Sequence, residues 1–161
     1  MPKRVAIYPG TFDPFTCGHL DIVNRAIRLF DEVIVTIAQN SKKKPLFNLK
    51  ERQELIRDAT YDLPSVRVDS FNGLLIDYAR QIKAVAIIRG LRAISDFEFE
   101  FQMALMNRRQ EGSITTVFLM ANEKYTYLNS SIVKEVAQFG GKIDNLVTDL
   151  VAKKLKEKFS K

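Results

Sequence analysis

Five short apolar runs, each followed by a polar loop or a stretch of helical periodicity, most constrain what this 161-residue chain can fold into. The runs are rich in β-branched side chains, which is typical of strands buried on both faces of a sheet. They recur at roughly thirty-residue spacing, the size of a strand–helix–strand unit with parallel strands. The sequence therefore predicts one domain over residues 1–161, an α/β fold with a doubly wound five-stranded parallel sheet of Rossmann-like topology. The runs are Val5–Tyr8, Val33–Ala38, Val66–Phe71, Val85–Ile88 and Ile114–Met120.

Amphipathic stretches between the runs predict the helices. An apolar series at helical spacing begins at Leu20, directly after the first loop. Asn48 and Ser95 are each followed three residues later by a glutamate, the spacing of a capping box, so each predicts a helix start. The remaining helix signals are the series Leu74–Ile82, the pair Ser130-Ser131 before the glycines Gly140-Gly141, and an amphipathic segment that begins at Asp144.

The charge balance limits the kinds of ligand that we expect this protein to bind. Lysine and arginine outnumber aspartate and glutamate by 25 to 19, a net charge of +6, which suits either nucleic acid or phosphorylated substrates. The excess is divided between loops and a lysine-rich C-terminal helix, so it forms no continuous basic stripe and favours small phosphorylated molecules. A single cysteine excludes an intrachain disulfide, and no apolar run is long enough for a bilayer. We therefore expect a cytoplasmic protein that binds neither membrane nor nucleic acid.

Candidate functional residues follow the carboxyl ends of the predicted strands. In open parallel sheets, ligands bind beyond those ends, where the strand order reverses. One pocket can therefore collect residues that are distant in sequence. The loops concerned are Pro9–Gly18, Gln39–Phe47, Phe71–Gly73, Arg89–Ile94 and Asn122–Ser131.

The segment Tyr8–His19 has the features of a phosphate-binding loop. Gly10 permits a tight chain reversal, and Gly18 would let a phosphate approach the backbone closely. His19, the only histidine, stands at a predicted helix start, where free backbone N–H groups attract anions. Taken singly, these residues would be ordinary turn glycines and a loop histidine. Their combination directly after the first strand favours binding of a nucleotide triphosphate.

Several motifs resemble a known family. Thr16-Cys17-Gly18-His19 resembles the T/HxGH signature of the nucleotidyltransferase superfamily. Arg89-Gly90-Leu91-Arg92-Ala93, the Ser-Asp-Phe-Glu that follows and the Ser-Ser-Ile-Val-Lys-Glu at Ser130 resemble the bacterial phosphopantetheine adenylyltransferase family. The resemblance covers nearly the whole chain, with the motifs in the same order. It implies a nucleotidyltransferase fold and transfer of the adenylyl group of ATP to 4'-phosphopantetheine, giving 3'-dephospho-coenzyme A and pyrophosphate. It also implies Mg²⁺ bound with ATP, a homohexamer, and coenzyme A as an inhibitor to be tested.

The resemblance further implies roles for individual residues. His19 would be the catalytic residue that stabilises the transition state at the α-phosphate. The implied acceptor-binding residues are Thr11, Lys43, Leu75 and Arg89. The implied ATP-binding residues are Thr11, Phe12, His19, Gly90, Leu91, Arg92, Glu100, Tyr125, Thr126, Tyr127, Leu128, Asn129, Ser130 and Ser131.

Plainer interpretations stand beside some of these roles. The helical spacing of Leu75 alone indicates only a core residue, and Glu100 could belong to a solvated helix face. Lys42 and Lys44, on either side of Lys43, read as a solvated loop. Asn129 stands where relatives usually have serine, which bears on any hydroxyl contact to ATP at that position. Cys17 stands where relatives often have asparagine, and its expected role is loop packing.

The implied reaction needs few acid or base groups. The acceptor is already a phosphate anion, so positioning and charge neutralisation are what the protein must supply. The single histidine and single cysteine exclude a zinc site built from such residues, so no metal ligand is assigned to the chain. Magnesium would be held by triphosphate oxygens and water. The alternatives are a nucleotidyltransferase acting on nicotinamide mononucleotide or a glycerol phosphate, and a non-catalytic nucleotide- or RNA-binding module.

Overall fold

The five predicted strands form one parallel sheet. The structure is a computed structural model that describes residues 1–39, 42, 44–92 and 94–160. The strands lie in the order β3-β2-β1-β4-β5, so the order reverses between β1 and β4. This is the predicted doubly wound α/β fold. The strands are β1 (Val5–Gly10), β2 (Glu32–Ala38), β3 (Val66–Phe71), β4 (Ala86–Leu91) and β5 (Thr115–Met120).

Helices connect the strands and cover both faces of the sheet. Alternate residues of β1 point to opposite faces: Ala6 and Tyr8 belong to one apolar cluster, and Ile7 belongs to another. Both kinds of position are buried, which explains why the strand reads as a continuous apolar run. The helices are α1 (Cys17–Ala26), α2 (Leu49–Ala59), α3 (Leu75–Gln81), α4 (Ile94–Gln110), α5 (Ser130–Gln138) and α6 (Asp149–Phe159).

Local capping explains where several helices begin and end. The capping box predicted at Asn48 is present, with the Asn48 side chain accepting from Glu51 N at 2.9 Å. The glycine signal after α5 is also confirmed, because Gly140 has a φ of +73° directly after the helix. Asn129, and not Ser130, is the N-cap of α5, since its side-chain oxygen accepts from Ile132 N at 2.8 Å. Helix α4 begins at Ile94, so Ser95 is not its cap as its spacing predicted.

The predicted start of the last helix at Asp144 is wrong. Asn145 has a φ of +63°, which a right-handed helix excludes, and α6 begins at Asp149. The apolar pattern continued through Leu146 and Val147 because these residues pack into the core from an irregular segment. Leu146 O accepts from Cys17 N at 2.8 Å, so this segment holds the start of α1.

Strand β4 is longer than the apolar run predicted. Its hydrogen-bonded register with β5 extends through Arg89, Gly90 and Leu91, which the sequence placed in a loop. The apolar run stops at Arg89 and Gly90, but the strand continues through them. These residues need not be apolar, because the carboxyl end of β4 borders a cleft. None of the helices in the described part of the chain has the length and apolar character needed to cross a membrane.

Candidate active site

A cleft of about 480 Å³ opens at the carboxyl ends of β1 and β4, where the strand order reverses. It is the location that the fold predicts for a ligand. Most of the residues implied by the family resemblance line it: Thr11, Phe12, His19, Arg89, Gly90, Leu91, Arg92, Glu100, Tyr125, Leu128, Asn129, Ser130 and Ser131. Three stretches that are distant in sequence, 11–19, 89–100 and 125–131, therefore meet at one site.

Phe12 gives the first loop its shape. Its φ is +50°, and the residue is 3% exposed, with its ring packed edge-on against His19 at 5.0 Å between centroids. A Cβ on Gly10 would lie 2.8 Å from the Phe12 ring, so only glycine fits there. The Phe12 side chain is therefore part of the core beneath the cleft.

His19 is held in one tautomer at the start of α1. Thr16 N donates to His19 Nδ1 at 2.9 Å, and the Thr16 hydroxyl accepts from His19 N at 3.3 Å. Together these bonds form a capping box in which histidine replaces the usual glutamate. Because Nδ1 accepts a hydrogen bond, the ring hydrogen is on Nε2.

The charge state of His19 follows from its surroundings. Burial and the nearby positive charge of Arg92 lower the pKa of His19 to about 3. The imidazole is therefore neutral at physiological pH and offers one N–H donor from Nε2. A neutral donor in an anion-binding cleft can hydrogen bond to a phosphoryl oxygen without itself exchanging a proton.

Arg89 is fixed by a bidentate ion pair with Glu100 of α4. Arg89 Nε and an Arg89 terminal nitrogen donate to the Glu100 carboxylate at 2.7 and 2.6 Å, and the other terminal nitrogen donates to Pro9 O at 3.1 Å. Burial opposes the charge of Arg89, but the hydrogen bond and charge of Glu100 outweigh it and raise the pKa of the guanidinium. The pair thus fixes the position and orientation of the Arg89 guanidinium between β4 and α4.

Hydrogen bonds from Arg92 and Ser130 connect separate segments of the cleft wall. Arg92 donates to Leu128 O at 3.3 Å and pairs with Asp96 at 3.3 Å. The Ser130 hydroxyl donates to Pro14 O at 2.7 Å, which binds the start of α5 to the first loop. The Ser130 hydroxyl hydrogen is therefore engaged, and the free backbone N–H groups of the first turn of α5 are its anion-binding feature.

Asp13 is the buried junction behind this cleft. Its carboxylate accepts from Leu46 N and Phe47 N, each at 2.9 Å, and pairs with Lys134 of α5 at 3.1 Å. A second cavity of about 290 Å³ adjoins it, and Arg52 in its wall donates to Thr11 O at 2.9 Å. Three segments that the sequence leaves unconnected are thus joined through one carboxylate.

Some of the implied residues lie elsewhere. Thr126 and Tyr127 do not line the cleft, and Tyr127 is 62% exposed. Leu75 packs on the apolar cluster beneath α3, as its helical spacing indicated. Lys43 lies outside the described residues. The sequence did not point to Ile22, Asp96 or Ala121, although all three line the cleft, and it included Tyr8 only as the first residue of the segment Tyr8–His19.

The donor set of the cleft suits anions better than a metal. Its carboxylates, Glu100 and Asp96, are paired with Arg89 and Arg92. Within residues 1–39, 42, 44–92 and 94–160, no group of three or more His, Cys, Asp or Glu side chains is placed to hold a metal ion. Arginines, a neutral histidine and helix starts are groups that bind phosphate oxygens.

Comparisons with known proteins agree with this geometry. Residues 7–136 match the family model described as cytidylyltransferase-like. The phosphopantetheine adenylyltransferase of Caldanaerobacter subterraneus is 56% identical over 158 residues, covering 98% of this chain and 99% of that protein. The chain belongs to the phosphopantetheine adenylyltransferase family.

Other relatives support the same membership and fold. The phosphopantetheine adenylyltransferase of Dictyoglomus thermophilum is 55% identical and covers 96% of this chain and 94% of that protein. A solved structure, the bifunctional NMN adenylyltransferase/ADP ribose pyrophosphatase of Francisella tularensis, has a TM-score of 0.72 at 14% identity. It covers 97% of this chain and 50% of that chain, and at this identity it shows the fold alone.

Proposed function

We propose that this protein transfers the adenylyl group of ATP to 4'-phosphopantetheine and releases 3'-dephospho-coenzyme A and pyrophosphate. The observation that carries the proposal is the meeting of His19, Arg89 and Arg92 in one cleft at the switch point of the sheet. Relatives that are 54–56% identical over nearly the full chain are named for this activity. The chain is thus a nucleotidyltransferase, and we propose that residues 1–161 act as one domain.

The reaction is a displacement at the α-phosphorus. An oxygen of the acceptor phosphate forms a bond to the α-phosphorus, while the bond from that phosphorus to the bridging oxygen of the β-phosphate breaks. The electron pair leaves with pyrophosphate. Because the attacking oxygen is already anionic at neutral pH, no protein base removes a proton from it. The site must hold the acceptor oxygen, the α-phosphorus and the leaving pyrophosphate in line, and it must stabilise the charge that builds up on the α-phosphoryl group.

His19 supplies that stabilisation. Its Nε2–H donates to a non-bridging α-phosphate oxygen, and the Thr16 N–H holds the ring in the required tautomer. A donor that is already positioned and neutral needs no rearrangement as the transition state forms. The N-terminus of α1, where His19 stands, adds its partial positive charge.

We assign the remaining residues to the two substrates. Arg89 binds the acceptor phosphate together with Thr11 and Lys43, and Leu75 packs against the pantetheine arm. Four residues of the β4 edge and α4, namely Gly90, Leu91, Arg92 and Glu100, bind ATP with the segment 125–131 and the backbone N–H groups of Thr11 and Phe12. The two arginines stand on either side of Gly90 and Leu91, which suits two phosphate-bearing substrates that meet.

In this proposal magnesium would be bound together with ATP. Because the cleft carboxylates Glu100 and Asp96 pair with arginines, triphosphate oxygens and water would hold the ion, which would neutralise part of the triphosphate charge. Coenzyme A, which contains the pantetheine arm, is proposed as an inhibitor that competes for the acceptor site. An ATP-dependent reaction and a single cysteine both favour a cytoplasmic location.

We also propose that the chain forms a homohexamer. Helix α4 carries a half-exposed apolar surface that has no cover within this chain's described residues. The α4 surface, as we call it, consists of Phe97, Phe99, Phe101, Met103, Leu105 and Met106, which are 43–62% exposed. Exposed apolar patches of this kind mark interaction sites.

Pyrophosphate release tests the function directly. The protein should release pyrophosphate from ATP with 4'-phosphopantetheine and not with nicotinamide mononucleotide or a glycerol phosphate. Release only with the mononucleotide would reassign the acceptor. No release with any acceptor, together with salt-sensitive RNA binding, would favour the non-catalytic RNA-binding alternative.

A further inference from the structure

Tyr8 in β1 combines a core position with a place in the wall of the cleft. The residue is 5% exposed, and its ring packs edge-on against Phe12, with centroids 5.3 Å apart. The same ring lies 6.4 Å from the His19 ring. Packing therefore fixes the Tyr8 ring, and the orientation of the ring sets the position of its hydroxyl.

The Tyr8 hydroxyl is not used inside the protein. No residue of the described ranges forms a hydrogen bond with it, although Tyr8 is more than nine-tenths buried. Among the described residues, the polar side-chain atoms that have neither solvent contact nor a hydrogen-bond partner belong to Arg52 and Thr148. The Tyr8 hydroxyl is not one of them, so it has some contact with solvent. It therefore faces the cleft that Tyr8 lines.

The surroundings of the hydroxyl favour an anionic partner. Burial raises the pKa of Tyr8 well above its ordinary value, and the charges of Arg89 and Arg92 offset only part of the rise. The phenol therefore stays protonated and can donate a hydrogen bond. Arg89 and Arg92 line the same cleft, and each keeps guanidinium N–H groups beyond those in its ion pair, which can donate to an anionic oxygen.

Gly90 leaves the room that such a partner needs. A Cβ on Gly90 would lie 3.8 Å from the Tyr8 hydroxyl oxygen and 3.2 Å from Ile22. A side chain at this position of β4 would therefore crowd Ile22 and occupy the space in front of the hydroxyl. Glycine therefore keeps the space beside the Tyr8 hydroxyl open.

We propose that Tyr8 is a further substrate-contacting residue, whose hydroxyl donates a hydrogen bond to a phosphate oxygen beside Arg89. The inference rests on the proposed function, since it assumes that the cleft brings two phosphate-bearing substrates together. The oxygen belongs either to the acceptor phosphate or to ATP. Both offer the same chemistry, and kinetic constants measured for each substrate distinguish them.

Tyr8→Phe is the decisive variant because it removes the hydroxyl and keeps the ring. We expect kcat/KM to fall by about tenfold to a hundredfold, the usual effect of losing a hydrogen bond to a charged group. A rise in KM for phosphopantetheine alone assigns the bond to the acceptor, and a rise for ATP alone assigns it to the nucleotide. A fall in kcat assigns it to the transition state. Values of kcat/KM within about twofold of wild type for both substrates would overturn the proposal.

Tyr78→Phe is the matched control. The Tyr78 hydroxyl donates to Asp69 at 2.7 Å, so its loss should lower Tm and leave the kinetic constants unchanged. Tyr8→Phe should do the reverse, with Tm unchanged or raised. A Tm loss in Tyr8→Phe like that of Tyr78→Phe, with kcat reduced and both KM values unchanged, would show a structural role and contradict the proposal.

A binding measurement separates this inference from the proposed function. If the wild-type protein releases no pyrophosphate, the proposed function fails. Calorimetry with ATP and with 4'-phosphopantetheine then still tests Tyr8. Weaker binding of either ligand to Tyr8→Phe supports a phosphate contact, and unchanged binding of both overturns it.

Discussion

The backbone N–H of Thr16 donates to Nδ1 of His19 at 2.9 Å, and this bond decides which ring nitrogen can face a substrate. With Nδ1 occupied as an acceptor, the hydrogen is on Nε2. The same pair of residues caps helix α1, since Thr16 Oγ1 accepts from His19 N at 3.3 Å. Helix capping and orientation of the proposed catalytic donor are therefore one arrangement.

Replacing His19 should separate catalysis from binding. His19→Ala removes a donor whose contact matters mainly in the transition state, so we expect kcat to fall about 10²–10³-fold while the Kd for ATP changes little. Initial rates of pyrophosphate release and calorimetry with ATP measure the two quantities. His19→Gln, which retains a neutral N–H donor, should keep more activity than His19→Ala. An equal loss in kcat and ATP affinity would indicate a ground-state role instead.

The depressed pKa of His19 also predicts how stability depends on pH. The unfolded chain protonates this ring below pH 6.5, whereas the folded protein does so only near pH 3. Between these values the unfolded state binds more protons, so the free energy of unfolding falls as the pH falls. From pH 6.5 to pH 5 the loss from this residue is at most about 2 kcal/mol.

Chemical denaturation of wild type and His19→Gln at pH 7.5 and pH 5 measures this contribution. The variant lacks the titrating ring, so its free energy of unfolding should decline less than that of wild type over this interval. Parallel declines in the two proteins would show that the His19 pKa is close to its ordinary value.

Asp13 should be the most stabilising carboxylate of the first loop. Asp13→Asn removes a buried charge that accepts hydrogen bonds from Leu46 N and Phe47 N and pairs with Lys134. We expect the free energy of unfolding to fall by about 3 kcal/mol. Asp31→Asn is a suitable control, because Asp31 also accepts a backbone N–H and pairs with an arginine, but at the exposed surface. Urea denaturation compares the two, and equal losses would contradict a junction role for Asp13.

The sequence predicted this fold well because its strands are doubly buried and its loops carry distinctive residues. It failed where a residue's role depends on distant parts of the chain. The irregular segment before α6 reads as helix because Leu146 and Val147 are apolar, although Asn145 breaks the helix. Arg89 is assigned to the site through the family resemblance, but no local pattern shows that Glu100 pairs with it.

The same limit applies to the candidate site. The T/HxGH resemblance identified His19, whose neighbours in sequence form its capping box. It could not identify the contacts of Asp13 with residues more than thirty positions away, because hydrogen bonds to backbone N–H groups leave no side-chain signature. Tyr8 likewise belongs to the last position of the first apolar run and to the segment Tyr8–His19, but nothing in the sequence shows that its hydroxyl lacks a partner.

Arg89 should be more important for the acceptor than for ATP. Arg89→Lys keeps the charge but loses the planar fork that pairs with Glu100, so the KM for phosphopantetheine should rise about tenfold or more. Arg80→Lys is the control, because Arg80 makes similar pairs with Asp77 and Glu111 on an exposed surface. Initial-rate kinetics with each substrate varied in turn give both constants. A rise in the KM for ATP alone would reassign Arg89 to the nucleotide.

The residue pattern of helix α4 predicts that another subunit covers its apolar residues. Its apolar residues from Phe97 to Leu105 alternate with mostly polar ones, and on a helix this spacing places them on two opposite sides. The sheet of the same chain can cover only one of these sides, and Phe99 and Met106, which share the other, are 62% and 53% exposed. The α4 surface should therefore be covered by other copies of this chain.

Sedimentation velocity tests that prediction. Wild type should sediment as a hexamer, and Phe99→Glu, which places a charge in the proposed contact, should shift it to smaller species. Phe139→Glu is the matched control, because Phe139 is 81% exposed after the end of α5 and lies outside the α4 surface. Phe139→Glu should leave the assembly intact. A wild-type monomer at micromolar concentration, or equal disruption by both variants, would show that the α4 surface is not the subunit contact.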